Sequence, residues 1–232
     1  MTRLTTIAFD ADDTLWHNET LFHLTTARFA ALLADAADPD HLAERLEAAE
    51  RRNLAHYGYG VKGFVLSMIE TAIEVTQGRV AAPVIAELLQ AGRDMLTHPV
   101  ALLPHARQAV ATLAQSHRLL LITKGDLLHQ ERKVAASGLG DLFHAVEILS
   151  EKTADSYRTI FQRHGQGAGQ AMMVGNSLKS DVLPALAAGA WGVHVPHGVT
   201  WALERAEPPL AAPRFHSLPD LSTLPALAAS LG

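Results

Sequence analysis

The sequence contains no cysteine in 232 residues, which excludes disulfide scaffolds and every zinc or iron–sulfur site built on thiolates. Long apolar runs are missing too: none approaches the roughly 20 residues that a bilayer-spanning helix needs. Nor is there an excess of basic charge. A formal net charge of -5 and a pI near 6.2 argue against a chain that coats nucleic acid, whose electrostatic footprint would be basic. The opening stretch MTRLTTIAFDADD turns to carboxylates after a handful of apolar residues, so it does not read as a signal peptide. The expectation is a cytoplasmic chain without nucleic-acid or membrane partners. Internal repeats are absent, and nothing in the sequence reports the oligomeric state.

What is present is a 48% hydrophobic chain long enough for one or two domains with a full core. Short apolar runs bounded by turn residues predict buried strands at Thr6 to Phe9, Leu119 to Thr123, Ala145 to Leu149, Ala171 to Val174 and Trp191 to Val195. Helical patterns lie between the later ones, over His105 to Ser116, Leu127 to Ser137, Asp155 to His164 and Asp181 to Ala188. Alternation of this kind predicts a doubly wound, mostly parallel α/β sheet.

The regular spacing fails once. Between the first strand and the second lies far more chain than one crossover needs, and it carries four amphipathic patterns. They are Phe22–Thr26–Phe29–Leu33, Leu42–Leu46–Ala49, Val65–Met68–Ala72–Val75 and Ile85–Leu88–Met95. Residues 17–97 therefore read as a small all-helical cap domain, and residues 1–16 with 98–232 as the α/β core domain. His98, Pro99 and Pro104 mark the return to the sheet, and the proline-rich stretch from Glu207 to Pro225 reads as loop before a short terminal helix.

In open α/β sheets, ligands bind beyond the carboxyl ends of the strands. Four predicted strand ends carry reactive or polar residues: Asp10 to Thr14, Thr123 to Asp126, Glu151 with Lys152, and Gly175 to Asp181. Asp10 and Asp12 are two positions apart and can share a face of extended chain. Two carboxylates held that close need a cation, a shared proton or different surroundings, and Mg²⁺ with oxygen ligands is the natural partner. The competing reading is an Asp-rich turn.

These residues resemble the haloacid dehalogenase (HAD) superfamily. Asp10, Asp12 and Thr14 match its Asp-x-Asp-x-Thr first motif, Thr123 its second, Lys152 its third and Gly175 to Asp181 its fourth. A helical cap inserted after the first motif is also a family arrangement. The resemblance implies a phosphatase in which Asp10 attacks phosphorus and forms an aspartyl-phosphate. Asp12 would protonate the leaving oxygen and then deprotonate water. Mg²⁺ would be held by Asp10, the Asp12 carbonyl and Asp181, with Asn176 as a further candidate ligand. Thr123, Lys124, Gly125 and Lys152 would bind the phosphoryl oxygens of a small phosphorylated substrate. Dehalogenases of the superfamily lack the second aspartate, so Asp12 favours phosphoryl transfer.

Departures from the family pattern carry expectations of their own. Lys124 stands where asparagine is common and adds positive charge at the mouth, while Asn176 replaces an aspartate and contributes no charge. No proline follows Lys152. Lys133, on a helix patterned by Leu127, Leu128 and Val134, reads as part of a solvated face, and Asp13 and Asp126 read as solvent-exposed loop acids. Trp16, His17 and Glu19 at the entrance, with Tyr57, Tyr59 and Lys62 in a glycine-rich cap loop, are candidate specificity contacts. Hydrophobic packing explains Trp16 and both tyrosines equally well. His194, His197 and Trp201 follow the last predicted strand toward the mouth. Two further readings stand beside the phosphatase: a phosphomutase using the same nucleophile, and a non-catalytic binding protein on this fold.

Overall fold

The computed structural model describes residues 3–198 and 201–231. In chain order, β1 (Thr6–Phe9) is followed by α1 (Glu19–Leu32), α2 (Pro39–Tyr57), α3 (Val61–Val75) and α4 (Ala82–Leu96). Then come α5 (Ala106–Leu113), β2 (Arg118–Lys124), α6 (Leu127–Ser137), β3 (Ala145–Leu149), α7 (Ala154–His164) and β4 (Ala171–Gly175). The chain ends with α8 (Leu183–Ala188), β5 (Trp191–His194), β6 (Phe215–Ser217) and α9 (Leu224–Ser230).

The described strands form one six-stranded sheet in the order β3-β2-β1-β4-β5-β6, with every pairing parallel. Because side chains alternate across a strand, neighbouring residues serve two cores. Ile7, Phe9, Leu119, Leu121, Met172 and Val174 face a layer that includes α5 and α9. Ala8, Leu120, Ile122 and Met173 face Tyr157, Ile160 and Phe161 of α7. β1 is buried at every position, as the centre of a sheet covered on both faces requires.

The proline-rich stretch read as loop contains β6, which pairs with β5 from Gly192↔Phe215 to His194↔Ser217. Three residues are too few to show alternation. What holds the strand is its approach: Arg214 lies 5.3 Å from the Trp191 ring and donates to the Gly189 and Gly169 carbonyls at 2.8 and 3.1 Å.

Two compact units divide the chain: residues 1–19, 100–124 and 130–232, and residues 20–99 with 125–129. The second has its own core, with Phe29, Leu42, Met68 and Leu88 nearly inaccessible. Helix α2 starts cleanly, because Asp38 accepts the His41 N–H at 3.0 Å and Pro39 occupies the first turn. Among the described residues, no helix is long and apolar enough to cross a membrane.

Leu121 lies in β2 at 0% exposure, whereas Leu210 is 80% exposed. Leu121→Ala is expected to cost about 2–5 kcal/mol in chemical denaturation by leaving a cavity, and Leu210→Ala less than about 0.5 kcal/mol.

Candidate active site

The site begins where β1 ends. The Asp10 N–H still donates to Val174 O at 2.8 Å, so its backbone is held by the sheet. Beyond it the chain folds into a tight loop, closed by Leu15 N to Ala11 O at 2.8 Å and Asp13 N to Trp16 O at 2.7 Å. Asp13 takes a left-handed φ of 59°, a conformation aspartate tolerates better than most residues. The Thr14 hydroxyl turns back to Asp10 Oδ2 at 3.0 Å.

β4 delivers the opposing wall. After Gly175 and Asn176, residues Leu178–Val182 form a single wide π-turn, started by Ser177, whose Oγ accepts the Ser180 N–H at 2.9 Å. Such turns recur at functional sites. This one carries Asp181 inward, 1% exposed, with Oδ2 accepting the Ser177 N–H at 3.0 Å. Position 175 must be glycine for this to happen, since a Cβ there would lie 2.1 Å from Asp181 Oδ2.

Lys152 joins the two walls from the end of β3. Its Nζ donates to Asp10 Oδ1 at 2.5 Å and to Asp181 Oδ1 at 2.7 Å, from a side chain only 2% exposed. Burial disfavours the ammonium, yet Asp10 and Asp181 outweigh it and raise the Lys152 pKa above the ordinary lysine value. Burial pushes the Asp181 carboxyl up to about 7, against the pull of Lys152.

Asp12 has a separate environment. Lys133 Nζ donates to its Oδ1 and Oδ2 at 2.6 and 2.7 Å, Trp16 Nε1 to Oδ1 at 2.6 Å, and Gln130 Nε2 to Oδ2 at 2.9 Å. Burial alone would raise the Asp12 pKa, but Lys133, aided by Gln130 and Trp16, holds it below the usual carboxylate value. The reading of Lys133 as solvated is therefore wrong: it is 9% exposed. Helix α6 turns its leucines outward, with Leu127 and Leu128 at 59% and 50% exposure, and buries Gln130, Lys133, Val134 and Ser137.

The remaining expected residues fall into two groups. Thr123 is buried at the end of β2, and Gly125 adopts a φ of 131° in the turn that follows. Lys124 spends its ammonium inside the molecule, on Glu204 (2.8 Å), Ser180 Oγ (2.8 Å) and Glu151 (3.3 Å). Trp16 is a core residue, 1% exposed, which removes it as a substrate contact and leaves its indole N–H to hold Asp12. His17 remains exposed, its ring 5.9 Å from that of His197.

In the helical unit, the Tyr57 hydroxyl donates to Glu70 at 2.7 Å and Lys62 pairs with Asp126 at 2.8 Å. Tyr59 lies half-buried between them in sequence. Asp126 is thus engaged rather than free. Asp13 is buried, not exposed: its carboxyl accepts the N–H groups of Asn18 and Glu19 at 2.9 Å and lies 3.5 Å from His197 Nδ1.

The donor set suits Mg²⁺. The terminal amide of Asn176 lies 3.3 Å from Asp10 Oδ2 and 3.2 Å from the Asp12 main-chain oxygen. With nitrogen inward the amide donates to both. With oxygen inward, the amide would place a third oxygen beside Asp10 Oδ2 and the Asp12 main-chain oxygen, donors of the kind that Mg²⁺ takes. Among the described residues no three His, Cys, Asp or Glu side chains gather into a metal cluster, so the set is mixed: carboxylate, carbonyl and amide, with Asp181 one ammonium away from Asp10.

The site is thus a parallel α/β sheet bearing acids at the ends of two adjacent strands, joined by a buried lysine. Residues 4–189 match the model of haloacid dehalogenase-like hydrolases, and the chain belongs to that family. It resembles a haloacid dehalogenase-like hydrolase from Xanthomonas campestris at 41% identity and a TM-score of 0.88, covering 98% of this chain and 91% of that one. Two more distant structures share the fold. The HAD-hydrolase YfnB from Bacillus subtilis, bound to magnesium, is 17% identical (TM-score 0.68; 98% and 99% covered). L-2-haloacid dehalogenase from Xanthobacter autotrophicus with chloropropionic acid covalently bound is 19% identical (TM-score 0.68; 99% and 100% covered). Comparison with curated proteins returned no match.

Two predictions follow from packing and charge. Gly175→Ala should displace Asp181 and destabilise the fold by about 1–3 kcal/mol, whereas Gly169→Ala, with nothing within 4 Å of the added carbon, should stay within about 0.5 kcal/mol; thermal unfolding separates them. Lys152→Met leaves two buried carboxylates facing each other and should cost about 3–5 kcal/mol in denaturant unfolding. Adding Asp181→Asn should return part of that loss, a coupling that a double-mutant cycle reads directly.

Proposed function

We propose that the chain is a Mg²⁺-dependent phosphatase that hydrolyses a small-molecule phosphomonoester through an aspartyl-phosphate on Asp10. The observation that carries this reading is the second acid. A carboxylate that displaces halide needs no proton donor for its leaving group, but an alkoxide leaving from phosphorus does. Asp12, two residues from the nucleophile and held by three side chains, supplies one.

In the first half-reaction an Asp10 oxygen attacks phosphorus and the bond from phosphorus to the ester oxygen breaks. That oxygen takes the proton of the Asp12 carboxyl group, which gains it against the pull of Lys133 once the substrate's negative charge lies beside it, and departs as the alcohol. In the second, Asp12 accepts a proton from water as the water oxygen bonds to phosphorus. The bond to Asp10 breaks, and inorganic phosphate leaves with Asp10 restored as a carboxylate. The Thr123 hydroxyl and the Lys152 ammonium offer hydrogen bonds to the phosphoryl oxygens, and Lys152 also keeps Asp10 aimed. Asp10, the Asp12 carbonyl, Asn176 and Asp181 would hold Mg²⁺, whose charge would offset repulsion between carboxylate and phosphate.

The test is phosphate release from a panel of sugar phosphates, nucleotides, flavin mononucleotide and phosphoglycolate, with and without Mg²⁺. At least one member should turn over with Mg²⁺, lose activity on chelation, and fall to background with Asp10→Asn. Turnover that survives Asp10→Asn, or release of halide from 2-haloacids with no phosphate release from any member, overturns the proposal.

A further inference from the structure

We propose that Lys133, seconded by Gln130, is a positioning residue for the Asp12 carboxyl group and so for proton transfer at the leaving oxygen. The inference rests on the reading of Asp12 as the acid–base group. Lysine is among the residues least often buried, and its ammonium is costly to desolvate unless paired. Here a helix that has two leucines to bury instead exposes them and turns a lysine and a glutamine inward. Residues 130 and 133 are one turn apart on α6 and therefore share a face, and both reach the same carboxylate.

The geometry leaves Asp12 little torsional freedom. Lys133 spans both oxygens at 2.6 and 2.7 Å, Trp16 adds a donor at Oδ1 and Gln130 one at Oδ2. Lys133 is itself aimed by Asn18 Oδ1 at 3.2 Å, and Gln130 by the main-chain carbonyl of Lys124 at 2.7 Å. The Gln130 amide makes both donations while its own Oε1 is buried without a protein partner. A buried acceptor left unmet is unfavourable, so the amide is oriented by what its nitrogen holds. Each aspartate of the first motif thereby has its own buried lysine: Lys152 for the nucleophile, Lys133 for the proton carrier.

A purely structural role, pinning α6 to the loop after β1, predicts equal losses on all substrates. Positioning of a proton donor predicts losses that grow as the leaving group worsens. The experiment compares kcat/KM, which reports steps up to departure of the leaving group, for glycerol 2-phosphate and p-nitrophenyl phosphate. With Lys133→Met, the alkyl ester should lose about 100-fold and the aryl ester less than about fivefold, in line with the size of general-acid contributions. Lys133→Arg should recover most of the alkyl-ester activity, and Gln130→Met should show the same selectivity at smaller amplitude.

Equal losses on both esters, or none, overturn the inference, and Gln130→Met decides in the same way if Lys133→Met does not fold. Absence of turnover of both esters, and of the wider panel, by the wild-type chain overturns the phosphatase reading, and this inference with it. The wild-type control thus separates the two failures.

Discussion

Like charge packed at one end of a sheet is the constraint to which this structure answers. Asp10, Asp12, Asp13 and Asp181 converge where β1 and β4 end, and three of them are nearly buried. Neighbouring carboxylates repel in a poorly solvated site, and three remedies serve the four of them. Asp10 and Asp181 share the Lys152 ammonium, Asp12 has Lys133, and Asp13 is spent on the backbone N–H groups of Asn18 and Glu19. The burial of two lysines, the glycine at 175 and the wide turn at Leu178–Val182 are consequences of keeping those acids together.

The fold makes the convergence possible at small local cost. Parallel strands point their carboxyl ends the same way, so β1, β2, β3 and β4 deliver Asp10, Thr123, Lys152 and the segment leading to Asp181 to one edge. Backbone hydrogen bonding carries the register to the last residue that matters: Asp10 still bonds Val174. Further along, polar networks take over from the sheet. Lys124, Ser177, Ser180 and Glu204 are linked by bonds of 2.6 to 2.8 Å that connect the end of β2 with the π-turn. An ammonium that the sequence presents as a phosphate contact is in this way committed to supporting the wall that carries Asp181.

Much of the fold is legible in the sequence because parallel strands are short, apolar and bounded by turns. Thr6–Phe9 and Ala145–Leu149 are found at the expected residues, and Leu127–Ser137 is the expected helix. β6 was not legible: three residues within a proline-rich stretch carry no period, and its pairing depends on Arg214 reaching across the chain. The strand-end acids and Lys152 were readable from residue type and place. Lys133 and Trp16 were not, for the same physical reason. Amphipathic reasoning assigns lysine to water and leaves tryptophan between core and ligand, and it assumes that leucines decide which face of a helix turns inward. On α6 a buried carboxylate decides instead. The one available signal was Asp12 itself, since a second buried acid beside Asp10 needs a cation of its own.

That distinction bears on how chemistry diversifies within this fold. A carboxylate held by a lysine can in principle attack carbon or phosphorus, and nothing about the Asp10–Lys152 pair selects between them. On the proposed reading, selection lies with the second acid, and in this chain Asp12 is held by residues outside the strand-end motifs: an indole in the loop after β1 and two side chains on the inner face of α6. Such a site can change its leaving group without altering its nucleophile. The residues to compare between members of the family with different reactions are therefore those that surround the second acid, and the helix after β2 is where this sequence places them.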